Sequence, residues 1–367
     1  MNRVRHFFPG SNTPQGFFSY YDHILPHEKA ERIIILKGGP GTGKSTLMKR
    51  LADDWARRGL VVEHHHCSAD PDSLDAAALP EAGVAVVDGT RPHTIDPRLP
   101  GAVDEIVYLG EYWDEKGIRR HRDEIAALSE LSSQAYQRAY RYLAASRLVY
   151  EEVVAIHSRA LDLGRLNQIA QALIERCLST RPAATAAGPV RRLFASAITP
   201  RGHVHFVDRL AAGAGRVVVI QGPPGTGKST LVEKLAQEAS QRGIAVECFH
   251  SPYDPLRVDH LVAPELDLAV VTSAPPHLWA GSAEEVVDTR EALLEERLKP
   301  HREELKEAEQ QALRLKEMAI RSLAQAKAYH DQLEQCYVPH MDFPAVEELY
   351  QRLRRKLEAH LDRLVTP

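Results

Sequence analysis

The stretch GGPGTGKST at residues 38–46 recurs as GPPGTGKST at residues 222–230. Each copy fits the pattern GxxxxGK[ST]. Each follows a short apolar run (Ile33 to Lys37; Val217 to Gln221) and opens a helical segment (Lys44 to Arg58; Lys228 to Arg242). Gly59 and Gly243 end those segments, as is common just past a helix C-cap. The pattern demands a strand, a tight turn and a helix in that order. Glycines at 38, 41 and 43 let successive N–H groups turn toward phosphate oxygens, and the helix N-terminus adds its positive end.

The first loop comprises Gly38, Gly39, Pro40, Gly41, Thr42, Gly43, Lys44, Ser45 and Thr46. Lys44 is placed to reach the β- and γ-phosphates, and Ser45 to offer a hydroxyl to Mg²⁺. The second loop repeats the set with Gly222, Pro223, Pro224, Gly225, Thr226, Gly227, Lys228, Ser229 and Thr230. Ser229 is its metal hydroxyl.

Similarity between the halves extends beyond the loops. HCSADPDSLD from His66 aligns with HSPYDPLRVD from His250, so Asp70 meets Asp254 and Asp75 meets Asp259. VAVVDGTRPH aligns with LAVVTSAPPH, FFPGSNTPQG with LFASAITPRG, and HRDEI with HREEL. Small register changes around a constant order are what loop insertions leave in a duplicated unit. We expect two tandem α/β domains, 1–180 and 190–367, joined by an Ala/Pro-rich linker at 181–189. Alternating strands and helices predict a parallel sheet flanked by helices in each.

A long helical extension follows in each half, at about 117–179 and 283–362. Its apolar and small residues (Leu128, Ala135, Ala139, Ser146, Val153, Ile156; then Ala312, Ala319, Ala326, Leu333) keep the seven-residue coiled-coil rhythm. At ~1.5 Å per residue each helix reaches roughly 50 Å. Its partner is either the matching helix of the other half or another protein.

Each half resembles a P-loop NTPase. The tandem layout, with NTPQG before one loop and PHTIDPRLPGAVDEI after one strand, also resembles an uncharacterised family of bacterial tandem-P-loop ATPases. The resemblance implies nucleotide binding and names no substrate. P-loop proteins place a metal-holding acid at the end of an apolar strand, and Asp88 ends VAVVD. The alternative for Asp88 is a turn with Gly89. The aligned residue of the second half is Thr272, which carries no charge to balance Mg²⁺.

Asp88 is followed by Gly89, so the Asp-Glu pair of many motor ATPases is missing. No LSGGQ-like segment and no Asn-Lys-x-Asp segment occurs. ATP is therefore expected over GTP, and what remains resembles the kinase branch of P-loop proteins, where the acid strand neighbours the loop strand. In that branch an acid just after the second strand can take a substrate proton. Asp70 and Asp254 hold that position, with an Asp-Pro turn as the alternative. In HHHC, strand alternation sends only His64 and His66 to one face, too few for a closed zinc site.

A formal net charge of −4 over 367 residues gives no nucleic-acid signal. Four scattered cysteines suit a reducing compartment. No signal peptide or bilayer-spanning run is recognised, so a cytoplasmic location is expected. The sequence predicts an ATP- and Mg²⁺-binding protein. Lys44, Asp88 and Asp70 are its candidate catalytic residues, and Ser45, Asp88 and Ser229 its metal ligands. An ATPase, a small-molecule kinase and a nucleotide-regulated scaffold acting through its helices are the three functions open to it.

Overall fold

A computed structural model describes residues 4–178, 182 and 184–365. The chain forms two compact units. The first contains residues 1–9, 19–137 and 322–367, the second residues 10–18 and 138–321. This differs from a division at 181–189. Arg181 and Ala183 of that expected linker lie outside the described residues, and Gly188 is held in the second unit by a 2.7 Å bond from its N–H to Ser240 O.

The first unit is built on six strands, in the order Val4–Phe7, Val62–His66, Leu74–Leu79, Val84–Asp88, Arg32–Lys37, Asp104–Tyr108. The sheet is mixed where a parallel one was expected. Leu74–Leu79 runs antiparallel to both neighbours, Val62–His66 and Val84–Asp88. Its path follows from the short connection at residues 80–83, which returns the chain directly into Val84–Asp88, because a parallel return would need a crossover of a dozen residues or so. The loop strand Arg32–Lys37 pairs in parallel with the acid strand Val84–Asp88, with Leu36 opposite Asp88.

The second unit repeats this order. From one edge it reads Glu285–Asp288, Arg216–Gln221, Leu268–Ser273, Asp254–Ala263, Val246–Ser251, Val190–Leu193. Its loop strand Arg216–Gln221 pairs in parallel with Leu268–Ser273, and Ile220 faces Thr272. A separate small sheet includes Gly10–Thr13 and Ser196–Thr199, which meet antiparallel at Asn12 and Ile198.

Each helical extension is broken in two. Arg122–Arg159 is followed by Leu163–Leu178, and Arg302–Gln335 by Phe343–Val365. In the first unit Ser132 Oγ donates to Ala326 O at 3.3 Å, and Leu128 packs with Leu333 and Cys336. In the second, Ser146 Oγ donates to Ala312 O at 2.6 Å. Small residues at these contacts let the two backbones approach.

The shorter helices close the cores, and each closes the unit built on the other half's sheet. Phe343–Val365 lays Leu349, Leu353, Leu357 and Leu361 onto a first-unit core that includes Ile34, Leu36, Leu51 and Trp55. Their four-residue spacing makes one apolar stripe on a helix. Leu163–Leu178 does the same in the second unit, burying Leu166, Ala170, Leu173 and Ile174 with Val218, Ile220 and Leu235. Leu353→Ala should therefore cost about 2–5 kcal/mol of stability, as fully buried leucines do. Leu148→Ala, at a side chain 69% exposed, should stay within about 0.5 kcal/mol. Urea unfolding of the two variants checks the contrast.

Candidate functional site

The two loops are described in turn, starting with the first. Gly43 takes φ 86° as the cap of helix Lys44–Arg57, a left-handed conformation that favours glycine. Thr42 Oγ1 donates to Gly39 O at 3.0 Å and braces the turn. Lys44 Nζ donates to Gly38 O and Gly39 O at 3.0 and 2.8 Å, and lies 3.6 Å from Asp88 Oδ2. Asp88 Oδ1 accepts from Thr90 N at 2.8 Å, which turns the carboxylate toward the loop. Ser45 Oγ accepts from Leu74 N at 3.0 Å. An ammonium, a hydroxyl and a carboxylate thus surround one helix N-terminus, a donor set that fits a magnesium-bound triphosphate.

The loop is also touched from above. A Cβ at Gly41 would lie 2.7 Å from Val338 Cγ2 and 3.4 Å from Glu334 O, while one at Gly39 would meet Trp113. The Glu334 carboxyl is held below its usual range, first by its hydrogen bond to His330 and with a contribution from the Gly41 N–H. A carboxylate therefore draws on a donor of the glycine-rich turn.

Asp70 does not stand free as a base. It accepts from Ser73 Oγ at 2.9 Å and lies 3.8 Å from Lys327 Nζ. Behind the acid strand, Asp75 is buried, and burial pushes its carboxyl up from the ordinary value. It lies 3.5 Å from His93 Nε2, and His93 stacks on Tyr21 with ring centroids 4.8 Å apart.

In the second unit Lys228 Nζ donates to Gly222 O and Pro223 O at 2.8 and 2.6 Å. Thr226 shares a 2.6 Å hydrogen bond with Thr289, which in turn donates to Gln221 O at 3.0 Å. A Cβ at Gly225 would come within 2.4 Å of Val154 O, and Ser158 Oγ donates to Gly225 O at 3.0 Å. Asp254 is paired with Arg147 and Arg257, each at 2.9 Å. Like Asp70, it is neutralised by a long-helix cation.

Sequence reasoning missed Asp259. It stands beside His260, whose strand pairs His260 with Val271 of the neighbouring strand, and it lines one cavity with Lys228, Ser229 and Thr272. Burial pushes Asp259 up to about 6, opposed by a hydrogen bond from Ser251 and by the charge of Lys228. Burial also pulls Lys228 down to about 8. The second loop thus has an acid after all, on the strand beyond Thr272 rather than at its tip. The signal lay in the repeat, which aligns Asp259 with Asp75.

That cavity encloses about 930 Å³ and extends past the loop to His203, His260 and Lys316. Lys316 sits 5.5 Å from the centre of the Tyr253 ring, and burial alone lowers its proton affinity. The first half carries Phe17, Ala76 and Tyr136 at the aligned positions.

Residues 204–367 match the AAA ATPase domain family. The match takes in the second loop and supports a member of the P-loop NTPase superfamily, a nucleotide-binding ATPase in general terms. No curated protein and no solved structure matches the chain.

An acid whose pKa rises on folding holds its proton more tightly in the folded state. For Asp259 that contribution is fully present below its unfolded pKa, near 4, and is lost as pH climbs through about 6. Asp259→Asn should remove this dependence. The variant should gain on the order of 2–3 kcal/mol over the parent between about pH 4 and pH 8 in ligand-free urea melts.

Proposed function

We propose that this chain is a Mg²⁺-dependent ATPase with two tandem nucleotide sites, acting in the cytoplasm. The first hydrolyses ATP, and the second binds nucleotide mainly to regulate. The observation that carries this reading is the ion pair of Lys44 with Asp88 at 3.6 Å. It sets the ammonium at the N-terminus of the loop helix beside a carboxylate at the tip of the neighbouring strand, where the one would reach phosphate and the other would hold metal. Lys44 would bind the β- and γ-phosphates. Ser45 and Asp88 would hold Mg²⁺, which when bound supplies charge neutralisation of the triphosphate. At the second site Thr272 offers no charge and Asp259 stands on the next strand rather than at the strand tip, which supports slow turnover there. Lys44→Ala should abolish most ATP turnover, whereas Lys228→Ala should alter nucleotide affinity or regulation. Equal loss of turnover in both variants would remove the asymmetry.

The long helices, read as coiled-coil extensions, would report nucleotide occupancy. Glu334 and Val338 lie against Gly41, and Val154 and Ser158 against Gly225. Phosphate entering either loop competes with these contacts. Glu334→Gln weakens a competitor for the Gly41 N–H and should tighten ATP binding at the first loop by about three- to tenfold, within the range of one ordinary net hydrogen bond. Calorimetric titration of the Lys228→Ala background isolates that site.

A second reading, phosphoryl transfer to a small molecule, is favoured by the cavity beside the second loop. A space of about 930 Å³ is at the upper end for a small-molecule pocket, and Lys316 lines it beyond the loop, where a second ligand would meet it. The direct pairing of loop and acid strands is also the arrangement of the kinase branch. ADP release measured with and without nucleosides and small alcohols separates the two readings. An acceptor that raises the rate by orders of magnitude would replace hydrolysis with transfer.

A further inference from the structure

The HHHC stretch gains a ligand that its own sequence does not contain. Val4–Phe7 pairs in parallel with Val62–His66, and His6 falls opposite His64. Strand alternation already sets His64 and His66 on one face, so the pairing register brings a third imidazole to that face. His6 Nδ1 lies 2.9 Å from His66 Nε2. One nitrogen from each of the three rings can be chosen so that all lie within 4.8 Å of one another.

We propose that His6, His64 and His66 bind one divalent transition-metal ion, of which Zn²⁺ suits the ligand set best. Three observations support the assignment. His66 Nδ1 lies 2.8 Å from Pro71 O. Donation to that carbonyl fixes the tautomer and leaves the Nε2 lone pair aimed at the cluster, as metal-bound imidazoles commonly require. His64 Nε2 is buried and lacks a hydrogen-bond partner, a cost that coordination would offset.

The third observation comes from the second half, where the aligned positions are Arg192, Cys248 and His250. There the Arg192 Nη1 lies 3.2 Å from His250 Nε2, so a guanidinium fills the place next to the retained histidine. The second half supplies by a side chain the cation that the first half would take from solution. Three neutral imidazoles leave a Zn²⁺ ion its positive charge and an open fourth position. Pro71 follows Asp70 directly, so an ion here would also steady the turn that holds Asp70.

The test uses the full chain, stripped with chelator and titrated with Co²⁺ followed by visible absorption, then with Zn²⁺ in competition. One strong equivalent is expected. His64→Gln and His66→Gln should each weaken it about 100-fold or more, since losing a ligand should exceed the loss of a supporting hydrogen bond. His121→Ala and His205→Ala, in other histidine-containing clusters, should leave it unchanged. Far-ultraviolet circular dichroism and retained ATP binding confirm that each variant is folded. Absence of micromolar binding in the parent overturns the proposal, as does an equivalent that survives in the folded His64→Gln protein.

Discussion

The parallel register between each loop strand and its neighbour decides where the charges of both sites fall. With Leu36 opposite Asp88, the strand tip delivers its carboxylate level with the turn that carries Lys44. With Ile220 opposite Thr272, the same geometry delivers a hydroxyl, and the nearest acid is displaced one strand outward to Asp259. A shift of one residue would send each of these side chains to the opposite face of its sheet. The buried alternation of Ile34, Leu36, Val84 and Val86 on one face, against Ile33, Ile35, Ala85 and Val87 on the other, prevents that slip. Packing on two faces is thus what holds the chemistry in place.

Much of this was legible in the sequence, because it depends on local pattern. The loops, the loop helices and the acid strand 84–88 follow from glycine spacing and apolar runs. What escaped depends on contacts between distant residues. Leu74–Leu79 reads LDAAAL, a composition that favours a helix as readily as a strand. Only its position between two strands, buried on both faces, makes it a strand. Val4–Phe7 has four residues and gains its identity from a partner far along the chain, and with it went the role of His6. Asp259 sat in plain view of the repeat alignment but away from the strand tip where an acid was sought.

The two halves carry the same loop sequence and differ around it. The first retains an acid at the strand tip and a histidine-rich edge. The second carries His203, His260 and Lys316 where the first has Phe17, Ala76 and Tyr136, and they line a large cavity. Polar side chains in such a place cost folding free energy unless they meet a ligand. That cost is most simply understood if the second half was retained for something it binds. Near the helix ends, Glu334 lies against Gly41 and Ser158 against Gly225.

The helix Phe343–Val365 adds a constraint of another kind. It fills the core of a sheet whose last strand, Asp104–Tyr108, leaves the ribosome long before it. Chains tend to fold domain by domain as they emerge, but the first unit must hold an open apolar face until this distant segment arrives. Contacts so far apart in sequence also slow folding. A message cut short after the second loop would therefore yield two intact phosphate-binding sequences and an uncovered first core. Synthesis of the later segment, rather than of the loop itself, governs when the first unit can complete its core.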